Sequence, residues 1–218
     1  MGSIYRLLRE RIALLDYPPG TLLSENRLAR EFGVSRTPIR RVLHRLEFDG
    51  LVSVERGVGT LVTSVDVRYL KQVYDLRLAL THVIAELDPS LVSQDEIERL
   101  RQLLTSTRTL AGTGDASGLA RAYLYFNETV TRAIGNEPLR EIADRLFYLT
   151  QRTWLEALPA LDWDHEVETV CNEIEATADA LEQGDMRAVA DVRRHYMIDC
   201  IHRVGTYLGT FDATSEPS

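Results

Sequence analysis

The stretch Leu22–Val62, LLSENRLAREFGVSRTPIRRVLHRLEFDGLVSVERGVGTLV, decides the fold of the chain. Leu28, Ala29 and Phe32 fall at helical spacing and mark the buried face of a short helix. Gly33 follows as the residue able to leave that helix with φ > 0. Ser35 is placed to cap a second helix, and Pro38 falls in its first turn, where a missing N–H costs little. Ile39, Val42, Leu43 and Leu46 then recur at helical spacing, so one face packs inward. The opposite face carries Arg36, Thr37, Arg40, Arg41, His44 and Arg45. Gly50 ends the helix, Leu51–Glu55 alternates like a strand, Arg56–Gly59 is a glycine-rich tip, and Thr60–Thr63 returns.

Exposed arginines on a helix are often just solvated. Here they crowd the amino-terminal half, where the helix dipole disfavours cations. That arrangement suits a helix whose amino end meets phosphates and base edges, as the second helix of a helix-turn-helix does in the major groove.

Working outward, Ile4–Leu15 reads as an amphipathic helix with Leu7, Leu8, Ile12 and Leu15 inward. Tyr17-Pro18-Pro19-Gly20 is a turn, and Leu22–Leu23 a short strand beside the hairpin. After Val65 the pattern becomes almost wholly helical: 67–87, 93–110 with a Ser93/Glu96 capping box, 115–134, 138–157, 164–183 and 185–208. The expected architecture is therefore mainly α, with an N-terminal winged helix-turn-helix at 1–65 and an all-α antiparallel helical bundle at 66–208. Residues 209–218 read as a disordered polar tail.

Charge divides the same way. Residues 1–65 hold ten arginines against seven acids, while 66–218 hold fifteen basic residues against twenty-six acids. A basic head on an acidic body confines nucleic-acid contact to the head, despite a net charge of −8. No apolar run approaches the length of a membrane span, and no apolar segment follows the amino-terminal charges as in a secretory signal. Cys171 and Cys200 lack ligand spacing and read as buried free thiols of a cytoplasmic protein, with a disulfide as the alternative.

The residues PPGTLLSE, RLA, FGVSRTPIRRVL, DGLV, RG and GT, in this order over Ser3–Ser64, resemble the winged helix-turn-helix of the GntR family of bacterial transcription regulators. The resemblance implies DNA contact through Arg36 and Arg40 of the SRTPIR segment, and a wing at Arg56–Gly57. An arginine that some members carry after the first-helix glutamate is Asn26 here, with Arg27 next to it as a substitute. The rest of the chain resembles, more weakly, the effector domain of the FadR-type subfamily. That likeness rests on Asp75–Arg77, on Gly135, Asn136, Pro138, Leu139, Glu141 and Ile142, and on Ala180, Leu181, Gly184 and Asp185.

In that subfamily the domain binds a small carboxylate, often through a divalent metal held by one aspartate and three histidines. This chain departs from the pattern at nearly every slot. The Asp-x-x-x-His pair falls on Tyr123 and Asn127, the second histidine on Ile174, and the third on Tyr196 or, one residue earlier, His195. Three or four N, O or S donors must converge to hold such a metal, so no metal or other cofactor is expected. A pocket between helices remains open to a ligand, with Arg77, Tyr123, Asn127, Arg152, Trp154, His195 and Tyr196 as candidate polar groups. The alternative is that these side chains fill the interior, with arginines paired to acids at the rim.

The resemblance implies a homodimeric repressor that binds a palindromic DNA operator and answers to a small-molecule effector. Two other classes compete. An enzyme with a helical catalytic body would need a nucleophile, base or metal cluster, and no H-E-x-x-H, G-x-S-x-G, P-loop or G-x-G-x-x-G occurs. A winged-helix adaptor that no longer binds DNA would not need the Arg36–Arg40 face.

Overall fold

The computed structural model describes residues 2–64, 66–90 and 92–208. The chain divides between Asp66 and Val67 into two compact units.

In the first unit α1 (Gly2–Ala13) precedes β1 (Leu22–Leu23), α2 (Glu25–Glu31), α3 (Arg36–Phe48), β2 (Val52–Glu55) and β3 (Gly59–Val62). The three strands form an antiparallel sheet in the order β1-β3-β2, with Val52 opposite Val62, Glu55 opposite Gly59 and Leu22 opposite Leu61. Leu8 and Ile12 of α1, Leu28 of α2, and Ile39 and Leu46 of α3 are fully buried and make one small core, closed by Leu23, Leu51 and Val62. Burying each such side chain is worth roughly 1.5–3 kcal/mol, which lets a unit this small hold its helices in place.

Two local expectations need correction, and a third holds. Ser35 sits at the cap position of α3, but its side chain makes no cap hydrogen bond; Ser24 does cap α2, accepting from the Arg27 N–H. Leu7 is exposed and Leu15 lies beyond the helix, so the inward face of α1 is Tyr5, Leu8, Ile12 and Ala13. Gly33 does take φ +64, which turns the chain from α2 toward α3.

The second unit is an all-α bundle: α4 (Val67–Glu86), α5 (Gln94–Arg108), α6 (Ala116–Arg132), α7 (Glu137–Ala157), a 3₁₀ turn at Leu158–Ala160, α8 (Trp163–Glu182) and α9 (Met186–Leu208). Side-chain caps start most of these helices: Ser93 in a complete capping box with Glu96, then Asp115, Asn136 and Asp162. Helix α9 packs along α4 and α8, α8 along α5, and α7 against α4 and α6. Phe126, Phe147 and Tyr148 are buried, as their helical spacing indicates. The tail expected at 209–218 lies outside the described residues. No helix among the described residues is long and apolar enough to cross a membrane.

Candidate nucleic-acid interface and effector cavity

On the first unit, packing of Ile39, Val42, Leu43 and Leu46 turns the rest of α3 outward. Arg36, Thr37, Arg40, Arg41 and His44 are all exposed. Arg40 donates from Nε and Nη2 to the two carboxylate oxygens of Glu25 at 2.9 and 3.0 Å. Arg36 donates to Oε2 of the same carboxylate from Nε and Nη2 at 3.2 and 2.9 Å. The shared acid does not close the face, since the two arginine side chains remain 58% and 55% exposed. These hydrogen bonds from Arg40 and Arg36 hold the Glu25 carboxyl down at about 2, so it is ionised throughout the neutral range.

Around this pair, Arg27, Arg41 and Arg56 are exposed and make no ion pair among the described residues. Arg56 and Gly57 form the tip of the β2–β3 hairpin, and Gly57 takes φ +80, a conformation other residues reach at a cost. His44 lies 3.4 Å from a Glu47 oxygen. Arg45 differs from its neighbours: its guanidinium stacks over the Tyr5 ring at 4.2 Å. Tyr5 in turn donates to Asp49 at 2.6 Å, so Arg45, though exposed, rests on a ring that is itself anchored.

In the second unit two adjoining cavities, of about 50 and 30 Å³, lie between the helices and share Arg77 and Met197 in their walls. The larger takes Asn127 and Arg193 beside Arg77; the smaller takes Tyr123, Trp154, Tyr196 and Cys200. Of the residues expected at a pocket, Arg77, Tyr123, Asn127, Trp154 and Tyr196 are brought together. Three are not. Ile174 is completely buried in the core, away from both cavities. His195 is on the outside of α9, its side chain 71% exposed and 3.4 Å from Asp199. Arg152 is buried on α7 but lines neither cavity.

The cavity walls also carry charges that sequence reasoning missed. Arg193 is buried and donates to Glu173 Oε1, to Asn127 Oδ1 at 3.2 Å and to the Tyr123 hydroxyl at 3.3 Å. Burial works against the Arg193 charge and is the largest single influence, but Glu173 and Tyr123 together outweigh it and raise the guanidinium's pKa. Glu166 accepts from Trp154 Nε1 at 2.9 Å and from Arg203. Arg77 donates to Thr150 Oγ1 and lies over the Phe147 and Tyr74 rings at 5.5 and 5.8 Å. No carboxylate among the described residues pairs with it, and burial lowers its pKa.

A signal for Arg193 was present. It falls on the buried stripe Met186, Val189, Ala190, Met197 and Val204 of α9, where an arginine is out of place unless paired. Glu173 precedes Ile174 by one position, about 100° around α8, so transfer of a family slot by alignment missed the polar residue by a single step.

The metal-ligand set that the resemblance implies does not fit. Tyr123 and Asn127, which take the Asp-x-x-x-His positions, converge on a guanidinium, Ile174 offers no donor, and the His195 ring lies outside. No group of three His, Cys, Asp or Glu side chains with metal-binding geometry occurs among the described residues. Both cysteines are free thiols, Cys171 buried and Cys200 partly so, which leaves the disulfide alternative unsupported.

Comparison with known proteins matches this organisation. The family profile "Bacterial regulatory proteins, gntR family" covers residues 2–62, and that of the FCD domain covers 72–197. The chain is 26% identical over 92% of its length to an uncharacterized HTH-type transcriptional regulator, YdhC, of Bacillus subtilis, spanning 89% of that protein. It is 30% identical to the gluconate operon transcriptional repressor of the same organism, over 64% of this chain and 57% of the repressor. Among solved structures, Escherichia coli McbR/YncC superposes with a TM-score of 0.79 at 19% identity, covering 94% of this chain and 97% of that one. With a DNA-binding head of this type joined to an FCD domain, the chain belongs to the GntR family of bacterial transcription regulators, in the FadR-type branch.

Proposed function

We propose that the chain is a cytoplasmic repressor that binds a palindromic operator as a homodimer and releases it, or grips it differently, when a small metabolite enters the helical unit. The observation that carries the DNA half is the open cationic face of α3. Arg36 and Arg40 would read base edges, Thr37 would meet a phosphate, and Arg27, Arg41, His44 and Arg56–Gly57 would follow the backbone and neighbouring groove. Arg45 would add charge but, held on Tyr5, little base discrimination.

Two-fold symmetry of the protein would be mirrored in the operator. Tyr69 and Leu76, 49% and 46% exposed, lie two turns apart on one face of α4, which favours a second copy there. The effector half rests on the two cavities around Arg77. A ligand regulates only if it binds the operator-bound and free states unequally. No enzymatic role is proposed: the two cavity carboxylates, Glu173 and Glu166, are each engaged by an arginine rather than set as a base beside a nucleophile.

The test selects duplexes from a random pool with the full chain and titrates them by gel shift across a salt series. Symmetric half-sites and an affinity that falls steeply with salt are expected, because neutralising phosphates releases counterions. A salt-independent affinity, or no enrichment of any sequence, would refute the DNA reading and favour an adaptor.

A further inference from the structure

The walls of the two cavities hold three arginines and two glutamates in contact with the space between the helices. Their pairing is uneven. Glu173 is matched by Arg193 and Glu166 by Arg203, while Arg77 has no carboxylate within ion-pair distance among the described residues: it donates to the Thr150 hydroxyl and shares only the longer-range field of Glu173. A guanidinium taken out of water without a counter-ion is costly, and the cost falls when an anion arrives. Arg77 is also the cation common to both cavities, so an anion there is reached from either side.

The second part concerns the position at which the family's metal would stand. Tyr123 and Asn127 both accept from the Arg193 guanidinium, and Glu173 accepts from the same Nη1 as Tyr123. A permanent positive charge, delivered by α9 and buried with its own acid, occupies the point where two carbonyl- and hydroxyl-bearing side chains converge. A divalent cation placed among the same atoms would face that guanidinium at close range with one carboxylate already engaged. The larger cavity is otherwise apolar: Leu80, Ile84, Val130, Ile134, Val189 and Met197 supply most of its wall. Few hydroxyl-binding groups remain there for a sugar acid or a polyol, apart from Thr81 and Thr131.

We propose that this site recognises a small aliphatic monoanion without any metal, with Arg77 as its counter-ion, the Leu80–Met197 wall around its tail, and the Arg193–Glu173 pair as a built-in replacement for the metal. The inference rests on the effector-sensing reading above. It goes beyond that reading in naming the chemistry of the ligand and the means of holding it.

The experiment uses the full chain and four probes: butanoate, 3-methylbutanoate, the uncharged butanamide, and Zn²⁺, Ni²⁺ or Mn²⁺ alone. The melting temperature is followed with and without EDTA, and the metal content of the purified protein is measured in parallel. A ligand that binds only the folded state raises the melting temperature. The carboxylates are expected to raise it equally with and without EDTA, butanamide and the metals to leave it unmoved, and the metal content to be far below one ion per chain. Arg77→Gln, checked for folding by circular dichroism, is expected to need about ten-fold more carboxylate for the same rise, since one charge-assisted contact is lost.

A rise that requires added metal or is abolished by EDTA overturns the proposal, as does one that butanamide reproduces or that Arg77→Gln leaves intact. Absence of a rise with every carboxylate overturns it too. Should Arg77→Gln not fold, the EDTA, amide and metal-content arms on the unaltered chain still decide the matter. Operator binding by the unaltered chain, measured on the same preparation, separates the two readings: operator affinity with no response to anions sinks this inference alone, while loss of operator affinity sinks the regulatory reading.

Discussion

Arg40 and Glu25 are joined by two parallel hydrogen bonds, Nε and Nη2 of the guanidinium to Oε1 and Oε2 of the carboxylate, at 2.9 and 3.0 Å. Arg36 converges on the same acid. A carboxylate from α2 thus stands where a phosphate or base edge would meet these arginines, and it fixes the direction of two long side chains before any DNA arrives. Ordering them in advance reduces the entropy lost on binding.

Glu25→Gln should therefore act in opposite directions on two kinds of DNA. Removing a negative charge from the face raises affinity for arbitrary duplex. Loosening Arg36 and Arg40 lowers the preference for the operator. The ratio of operator to random-duplex affinity is expected to fall, read by competition gel shift; an unchanged ratio would mean that Glu25 is only a solvated acid. The pH sign follows from the depressed carboxyl. Hydrogen bonds from Arg40 and then Arg36 bring it from 4.5 to about 2, so whatever the contact stabilises is complete above about 4.5 and is lost as pH falls toward 2. Between pH 6 and 8 neither the contact nor operator binding should change through this group.

Arg40→Ala removes an exposed guanidinium from the outer face of α3. It is expected to weaken operator binding by about 1–3 kcal/mol and to relax preference at one base pair of each half-site. Arg45→Ala serves as the contrast. Its guanidinium rests on the Tyr5 ring at 4.2 Å, so that change should lower the melting temperature of the head more than it lowers base preference. Equal losses of base preference from the two variants would show that the stacking contact does not hold Arg45 back.

What the sequence conveyed and what it withheld follow from the kind of physics involved. The Leu22–Val62 segment was legible because local rules govern it: φ > 0 at Gly33, helical spacing of Ile39, Val42, Leu43 and Leu46, and a strand at Leu51–Glu55 that returns after the glycine-rich tip; the cap was not, since Ser35 makes no cap hydrogen bond and the unread Ser24 does. The bundle helices were legible for the same reason, down to the Ser93–Glu96 capping box. The cavity was only half legible. Tyr123 and Asn127 were reached through resemblance, but Arg193 was not, because the pair it makes with Glu173 joins residues on different helices that no short-range pattern links. Ile174 and His195 show the other failure. On a helix one residue is about 100° of rotation, enough to exchange a cavity wall for the core at Ile174, and a cavity wall for solvent at His195.

Cys200 lines the smaller cavity and burial pushes its thiol up from 9.0 to about 11 against the opposing pull of Arg203. The neutral form is therefore favoured at physiological pH, and the thiol is a poor nucleophile there. Iodoacetamide at pH 7.5 should label it far more slowly in the native chain than in urea, with the native rate rising only as pH climbs toward 11. The folded chain holds this proton more tightly than the unfolded one, so the associated stability is full below about pH 9 and declines between 9 and 11. Rapid native labelling at pH 7.5 would contradict the raised thiol pKa of this partly buried side chain.

The Arg193–Glu173 pair makes the strongest demand on the bundle. Both side chains are buried, 9% and 4% exposed, and the guanidinium also serves Asn127 and Tyr123. Removing either partner leaves an uncompensated charge in the interior, so Glu173→Gln and Arg193→Met should each cost about 3–5 kcal/mol. The double variant Glu173→Leu/Arg193→Met buries no charge and should recover much of that loss, because a well-packed apolar pair often matches a buried ion pair in stability. Urea unfolding followed by the fluorescence of Trp154 and Trp163, both in the bundle, reads the effect without interference from the DNA-binding unit, which contains no tryptophan. Additive losses in the double variant would show that the two residues contribute separately. A recovery would show that the pair is kept for what it does in the cavity rather than for the stability it confers.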